Sequence, residues 1–413
     1  MGFIIATLKL VVILCVVATI HEFGHFIAAK LLKIGVNEFS IGFGPKIFQK
    51  KFRETMYSLR WIPLGGYVII EGEGEESDNP NSYSKKNALE KCIVLSMGVI
   101  FNIILAFVIL MGTSFTSPTY TTIIKEFAND SVLQEVGLLP GDKINKINGD
   151  RVTLGSDLFN TKYAESNTTE IEYIRNDKIE NVVLTNAVTD IGYIGVGFLS
   201  SADVANRIDS VRPGKAADKA GIKSGDLIIK IDGVSVSDAA KIISIVKENP
   251  NKELEILVDR NGDVLTKTIV PELSKQFDLG ITDVTAVDTN IGYAFESSKN
   301  IITTVVNSYV DLFRGKVVLD DVSSIVGIGV VVSKTTNLID YLNTLAIISL
   351  AIGVANILPF PPLDGGKILF VLLGSITRRK IPVNVEAIVS FIGFGALILL
   401  TIIVTYKDIV RIF

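Results

Sequence analysis

Histidine and cysteine are scarce, with two of each in 413 residues. Cys15 and Cys92 lie in or beside long apolar runs, so the polar middle of the chain can form no disulfide and offers no thiolate metal site. Blocks of like charge are missing too. The net charge of −4 is spread without a long acidic or basic run, which excludes the electrostatic footprint of a nucleic-acid binder. The first apolar run lacks a basic leader and is too long for a secretory signal, so a cleaved signal peptide is not expected.

What is plentiful is apolar. A hydrophobic content of 48% beside 20% charge is high for a soluble protein and points to membrane spans. Four stretches qualify, Leu10–Leu32, Ile93–Met111, Tyr341–Leu358 and Val385–Tyr406, each near the ~20 residues that cross ~30 Å of hydrocarbon. Lys33, Lys46, Lys50, Lys51, Arg53, Arg60, Lys85, Lys86 and Lys91 lie between the first two, and Arg378, Arg379 and Lys380 between the last two. Short loops rich in lysine and arginine face the cytoplasm, which puts both termini and the long segment from Ser117 to Asp340 on the other side. The expected fold is mixed: a polytopic α-helical membrane domain of four transmembrane helices, split by an external β-rich insert.

Both histidines fall in one string, His21-Glu22-Phe23-Gly24-His25, inside the first span. On a helix they are one turn apart on one face, able to grip a single Zn²⁺ with Glu22 beside it. A catalytic zinc needs a third protein ligand, and no histidine remains. Cys15 sits about 120° around the helix from His21, so a carboxylate is the expected donor. Asp364 is the candidate. It stands in Asn356-Ile-Leu-Pro-Phe-Pro-Pro-Leu-Asp-Gly-Gly366, where prolines break a helix at membrane depth and paired glycines permit close approach. Broken backbone at that depth is tolerated where it is buried in protein or lines a wet cavity. Two histidines and a carboxylate around zinc activate water beside a peptide carbonyl, with Glu22 as general base and then proton donor to the leaving amine.

The insert contains a repeat. Gly137-Leu-Leu-Pro-Gly-Asp-Lys-Ile-Asn-Lys-Ile-Asn-Gly149 is echoed by Gly221-Ile-Lys-Ser-Gly-Asp-Leu-Ile-Ile-Lys-Ile-Asp-Gly233. Each copy reads as a tight turn, a short strand and a hairpin closed by Asn-Gly or Asp-Gly. Together with Ala220, the second copy resembles the core motif of PDZ domains, and the first does so with Val136 in place of the alanine. Two tandem PDZ-like domains are expected, able to bind chain ends or to act as bulk that filters substrates. Gly192–Phe198 and Phe277–Ile281 resemble carboxylate-binding loops; each follows its Gly-Asp core, which suggests a permuted strand order in both copies. From Glu38 to Glu71 alternating residues broken by Gly42-Phe-Gly44-Pro45 and Pro63-Leu-Gly-Gly-Tyr67 predict a cytoplasmic-side β-hairpin. It either lends an edge strand to an unwound substrate or simply caps the membrane domain. Ile302, Val305, Val306, Tyr309 and Phe313 recur on one helical face, read as an interfacial amphipathic helix that anchors at the membrane surface.

The histidine motif in the first span, the Asn-(x)2-Pro-x-Pro-x-Leu-Asp-Gly-Gly motif in a later one and the PDZ-like pair between them resemble the site-2 protease family. The bacterial regulator of sigma-E protease group is most similar, over essentially the whole chain. The resemblance implies an intramembrane zinc metalloendopeptidase that acts in regulated intramembrane proteolysis on single-span membrane proteins, notably anti-sigma factors already trimmed by another protease. It implies that His21, His25 and Asp364 are zinc ligands, that Glu22 is catalytic, and that Asn356, Pro359 and Pro361 help to hold substrate. Asn102 matches a further motif position; substrate binding and an interhelical hydrogen bond both remain open for it. The chain departs from the family at Val99, where a proline is usual, and at Ser323-Ser-Ile-Val-Gly-Ile328, where members tend to show Ser-Gly-Pro-x-Gly-Ile.

The expected boundaries are 1–116 for the first membrane half with the hairpin, 117–200 and 201–285 for the PDZ-like domains, 286–340 for the amphipathic helix and linker, and 341–413 for the second membrane half. Two other readings compete: a membrane-anchored PDZ receptor whose metal is structural, and a metal transporter. The transporter reading finds no inverted repeat among the spans.

Overall fold

The computed structural model of the chain describes residues 2–75, 77–166, 168–198, 206–314, 324–378 and 381–412. Ser323, Arg379 and Lys380, the 200/201 boundary and the Phe313 side chain lie outside what is described. Two compact units emerge, one from Met1–Ser117 with Thr289–Phe413 and the other from Pro118–Asp288.

The first unit is helical apart from one hairpin. Its elements are α1 (Gly2–Leu31), β1 (Val36–Phe52), β2 (Thr55–Ile70), α2 (Ala88–Ser114), α3 (Ile291–Phe313), α4 (Ile325–Ser333), α5 (Leu338–Asn356), α6 (Asp364–Thr377) and α7 (Val383–Ile412). Within α1, α2, α5 and α7 the segments Ile4–Leu31, Ala88–Ser114, Leu338–Asn356 and Val383–Tyr406 are long and apolar enough to cross a membrane. Helices α4 and α6, of 9 and 14 residues, were not foreseen from the sequence, and both are shorter than a span. Local chemistry sets the helix ends. Helix α1 stops where Lys33 turns to φ +56° and the Ile34 N–H reaches back to the Ala29 carbonyl at 2.8 Å. Helix α2 starts at a reciprocal cap, in which the Asn87 side chain accepts from the Glu90 N–H and the Glu90 side chain accepts from the Asn87 N–H.

The predicted hairpin is present, with pairing that runs from Val36 opposite Ile70 to Phe52 opposite Thr55. Register shifts interrupt it around Gly42 and Gly44, whose φ values of +82° and +79° suit glycine. Its base is fixed by a core in which Val36 and Ile70 meet Phe26, Ala28, Ala29 and Ile34 with Val94 of α2. Phe43, Ile47, Phe48, Trp61 and Ile62 further along remain exposed.

Part of the apolar stripe of α3 packs on neighbouring helices, while Val306 is left exposed. Ile302, Val305 and Tyr309 pack on Ala106 and Leu110 of α2 and on Ala346, Leu350 and Val354 of α5. The Tyr309 hydroxyl donates to the Ala351 carbonyl at 2.9 Å. A stripe at this spacing shows that a helix has something apolar to cover, and here two spans supply it.

The second unit is β-rich. Strands 281–287, 119–127, 143–147, 169–175 and 178–184 lie side by side in one sheet, with 150–151 beside 143–147. A second sheet has the order 234–235, 227–231, 254–260, 263–269. Each sheet covers its own core, one around Leu133, Ile144, Leu158 and Ile171, the other around Ala217, Ile228, Ile242 and Ile256. Phe277, Leu279, Ile281 and Val284, from the far end of the unit, pack into the first of these. The loop at 192–198 packs into the second, through Ile194, Val196 and Phe198, ahead of the Gly225-Asp226 turn. The permuted order expected of both copies is thus corrected for the second.

The repeat is carried through to side-chain chemistry. Arg175 grips Asp142 with two hydrogen bonds of 2.8 and 2.6 Å and caps the Gly137 carbonyl at 2.8 Å. Arg260 grips Asp226 at 2.7 and 2.8 Å and caps the Gly221 carbonyl at 2.8 Å. Burial alone would raise the Asp226 carboxyl, but the Arg260 guanidinium and the Lys223 N–H hold it below the ordinary carboxylate range. Asp142 is depressed in the same way by Arg175 and the Leu139 N–H. A depressed carboxylate stabilises the fold above the unfolded pKa of ~3.9, and that contribution is lost as pH falls through the lower folded value.

Hydrogen exchange on the detergent-solubilised full chain should therefore show protection of both Gly-Asp turns falling below about pH 4. Asp226→Asn should cost about 2–3 kcal/mol locally at neutral pH, less than a fully buried pair would, because Arg260 is 28% exposed. Unchanged protection at 221–231 in that variant would refute the clamp.

Candidate metal centre

The site is assembled where α1 meets α2 and the start of α6. A Cβ on Gly24 of α1 would fall on the Met97 carbonyl and 2.9 Å from the Gly98 Cα, so only glycine permits this approach of the two backbones. His21 and His25 follow the same face of α1 and are 8% and 7% exposed. Their rings meet edge to face, with centroids 4.8 Å apart.

The third group arrives from the other end of the chain. After α5 ends at Asn356, a turn containing Pro359, Pro361 and Pro362 leads into α6, whose first residue is Asp364. The unpaired N–H groups of a helix start favour a carboxylate there. Gly365 lies against the carbonyls of Ile357 and Leu358, and a Cβ on Gly366 would stand 2.5 Å from the Pro361 nitrogen. The paired glycines therefore let the turn fold flat onto the first turn of α6, which is the close approach the sequence suggested. Lys367, one turn on, pairs with Glu73 at 2.7 Å and ties α6 to the segment after the hairpin.

His21 Nε2 lies 2.9 Å from Asp364 Oδ2, His25 Nε2 lies 3.3 Å from the same oxygen, and the two Nε2 atoms are 3.2 Å apart. Among the described residues, these three make up the cluster able to hold a metal ion. Four ligands around zinc at tetrahedral angles and bond lengths near 2.0–2.1 Å have edges of about 3.3 Å, so the donor triangle has the size the ion requires. The partners of the rings agree. His25 Nδ1 is 2.8 Å from the Val94 carbonyl, which can only accept; Nδ1 therefore carries the proton and Nε2 keeps its lone pair for a metal. Room for an ion comes from Gly98, where a Cβ would stand 2.5 Å from His25 Nε2 and 2.8 Å from His21 Nε2.

Glu22 points from α1 toward the hairpin, and its Oε2 accepts the Val68 N–H at 3.1 Å. Asn102 is fully buried, with its side-chain amide 3.4 Å from His21 Nδ1, so it stands with the histidines rather than with the Asn356 turn. Asn356 ends α5, and Pro359 and Pro361 lie in the turn after it, all three outside the three-donor cluster. Helix α2 runs unbroken past Val99, so the absent proline leaves it intact. The sequence reading missed Val94 and Val68, since both act through the backbone and no side-chain pattern marks them. Gly98 was legible as a motif position but not as the wall of the cradle.

The chain matches the profile of Peptidase family M50 over residues 9–400. The chain belongs to peptidase family M50. It is similar to zinc metalloprotease RasP of Bacillus licheniformis, with 30% identity over 95% of this chain and 96% of that one. It is similar also to the regulator of sigma-W protease RasP of Bacillus subtilis, 28% identical over the full length of both, and to RasP of Oceanobacillus iheyensis, 28% identical over 96% of this chain and 97% of that one. This M50 chain is accordingly a membrane zinc metalloprotease of the site-2 protease family.

Gly98→Ala should reduce zinc affinity by tenfold or more, the scale on which disturbed ligand surroundings act, as measured by chelator competition on purified protein. Zinc binding equal to that of the parent would show that the space above the imidazoles is not where the ion sits.

Proposed function

We propose that this M50 protease cleaves peptide bonds within the transmembrane segments of single-span membrane proteins, an anti-sigma factor or a similar protein, after another protease has made a first cut. The observation that carries this reading is the place of the donor cluster. His21 and His25 lie inside the apolar segment Ile4–Leu31, so a substrate that reaches them comes from the bilayer. His21 is ten residues short of Leu31, about 15 Å along the axis. With the lysine-rich connection after α1 facing the cytoplasm, the site lies toward that side and residues 118–288 lie outside.

His21, His25 and Asp364 hold the zinc. Zinc bound there supplies a Lewis acid that polarises the scissile carbonyl and acidifies water. Glu22 takes the proton from the attacking water and delivers it to the leaving amine. The Val68 N–H occupies Glu22 Oε2, which leaves Oε1 to carry that proton. Asn356, Pro359 and Pro361 form the wall that holds the unwound substrate, because a proline-broken turn leaves backbone carbonyls and N–H groups without helical partners. The two repeats of 118–288 act as PDZ-like domains that meet the trimmed substrate end or exclude untrimmed proteins; the Arg–Asp clamp shared by both Gly-Asp turns supports their common origin.

Glu22→Gln should keep its zinc and its place in the membrane yet cut a model transmembrane substrate about 10²–10⁴-fold more slowly. Asp364→Asn should lose zinc as well. Full cleavage by the Glu22→Gln protein in reconstituted vesicles would refute Glu22 as the general base.

A further inference from the structure

The two histidines differ in what stands behind them. His25 Nδ1 faces the Val94 carbonyl, a fixed acceptor on the backbone of α2. His21 Nδ1 faces the amide of Asn102, which can present either a donor or an acceptor. As it stands, Asn102 Nδ2 is 3.4 Å from His21 Nδ1, so that nitrogen accepts and Nε2 carries the proton it shares with Asp364 at 2.9 Å. The other end of the amide, Oδ1, is buried and has no hydrogen-bond partner among the described residues, in a residue that is 0% exposed. An orphaned buried acceptor is costly and calls for an explanation.

Metal binding supplies one. For Nε2 of His21 to give its lone pair to zinc, the neutral ring must carry its proton on Nδ1, and that N–H then needs an acceptor. A half-turn of the amide about Cβ–Cγ exchanges Nδ2 for Oδ1 and brings the orphaned oxygen to Nδ1. The ring changes tautomer without net gain or loss of a proton. We propose that Asn102 is the positioning residue for His21, its Oδ1 accepting from Nδ1–H in the zinc-loaded protein; this rests on His21 being a zinc ligand. The surroundings fix the backbone of Asn102 and leave its side-chain amide to turn. The Asn102 carbonyl accepts from Ser349 Oγ of α5 at 3.0 Å, and Gly353 of α5 leaves space beside Asn102, since a Cβ there would be 3.1 Å from the Asn102 Cβ.

Zinc affinity of the purified full-length protein, measured by chelator competition, tests this with three variants. Asn102→Ala, which removes the acceptor, should weaken zinc binding about 10–100-fold. Asn102→Asp, which keeps an acceptor and cannot donate, should stay near the parent, and Ser349→Ala, which loosens the contact between helices but spares the amide, should do so as well. Parent-like affinity in Asn102→Ala would overturn the proposal, as would a fall in Asn102→Asp or Ser349→Ala as large as that in Asn102→Ala, which would mark a packing effect. If the alanine variant does not fold, the aspartate variant decides alone, through retained or lost affinity. A parent protein that holds no zinc would refute the metal site itself, a result distinct from any of these.

Discussion

Where Gly24 of α1 meets α2, no side chain fits between the two backbones, and the candidate metal centre depends on that contact. Gly24 lets the Met97 carbonyl come against α1, and one helical position further on Gly98 leaves the space above both imidazoles open. The same proximity brings the Val94 carbonyl to His25 Nδ1 and the Asn102 amide to His21 Nδ1. In hydrocarbon two apolar helices gain little from burying surface against each other, so van der Waals contact and buried hydrogen bonds have to hold them. Small residues and ring nitrogens provide both at one place. An ionisable cluster at this depth is expensive unless surrounded by protein, and the crossing supplies that surrounding on one side while α6 supplies it on the other.

Much of this was written in the sequence in a form that side chains can carry. His21, Glu22 and His25 were legible because their spacing has meaning on a helix, and Asp364 because a third donor was needed and few candidates stood in broken apolar sequence. The ends of the spans were less legible: α1 begins at Gly2 and not near Leu10, since a helix extends past the point where hydropathy falls. The α3 stripe shows a different limit. Periodicity reports that a face is apolar but is silent on what covers it, and α2 and α5 cover Ile302, Val305 and Tyr309. Backbone partners such as Val94 O and Val68 N left no trace, because any residue supplies the same group.

The insert shows how a repeat can be conserved in chemistry while the chain is rerouted. Both Gly-Asp turns are clamped by an arginine that follows by a similar interval, at Arg175 and Arg260, and both arginines reach a glycine carbonyl at the start of the repeat. Yet the first core is completed by Phe277–Val284, after the whole second copy has been threaded between. Sequence order and core membership have separated, which is why a boundary drawn by counting residues along the chain does not follow the cores.

The three candidate donors are divided in the same manner. His21 and His25 precede Pro118–Asp288 and Asp364 follows it, while α2, α3 and α5 pack across that division. A cut anywhere in the insert would leave two polypeptides that still share one cradle. In a protein with two cysteines and no disulfide among the described residues, zinc held by these three donors would be more than a reagent. It would be a cross-link between the two halves of the membrane domain, closing a loop of more than three hundred residues that no covalent bond among the described residues closes.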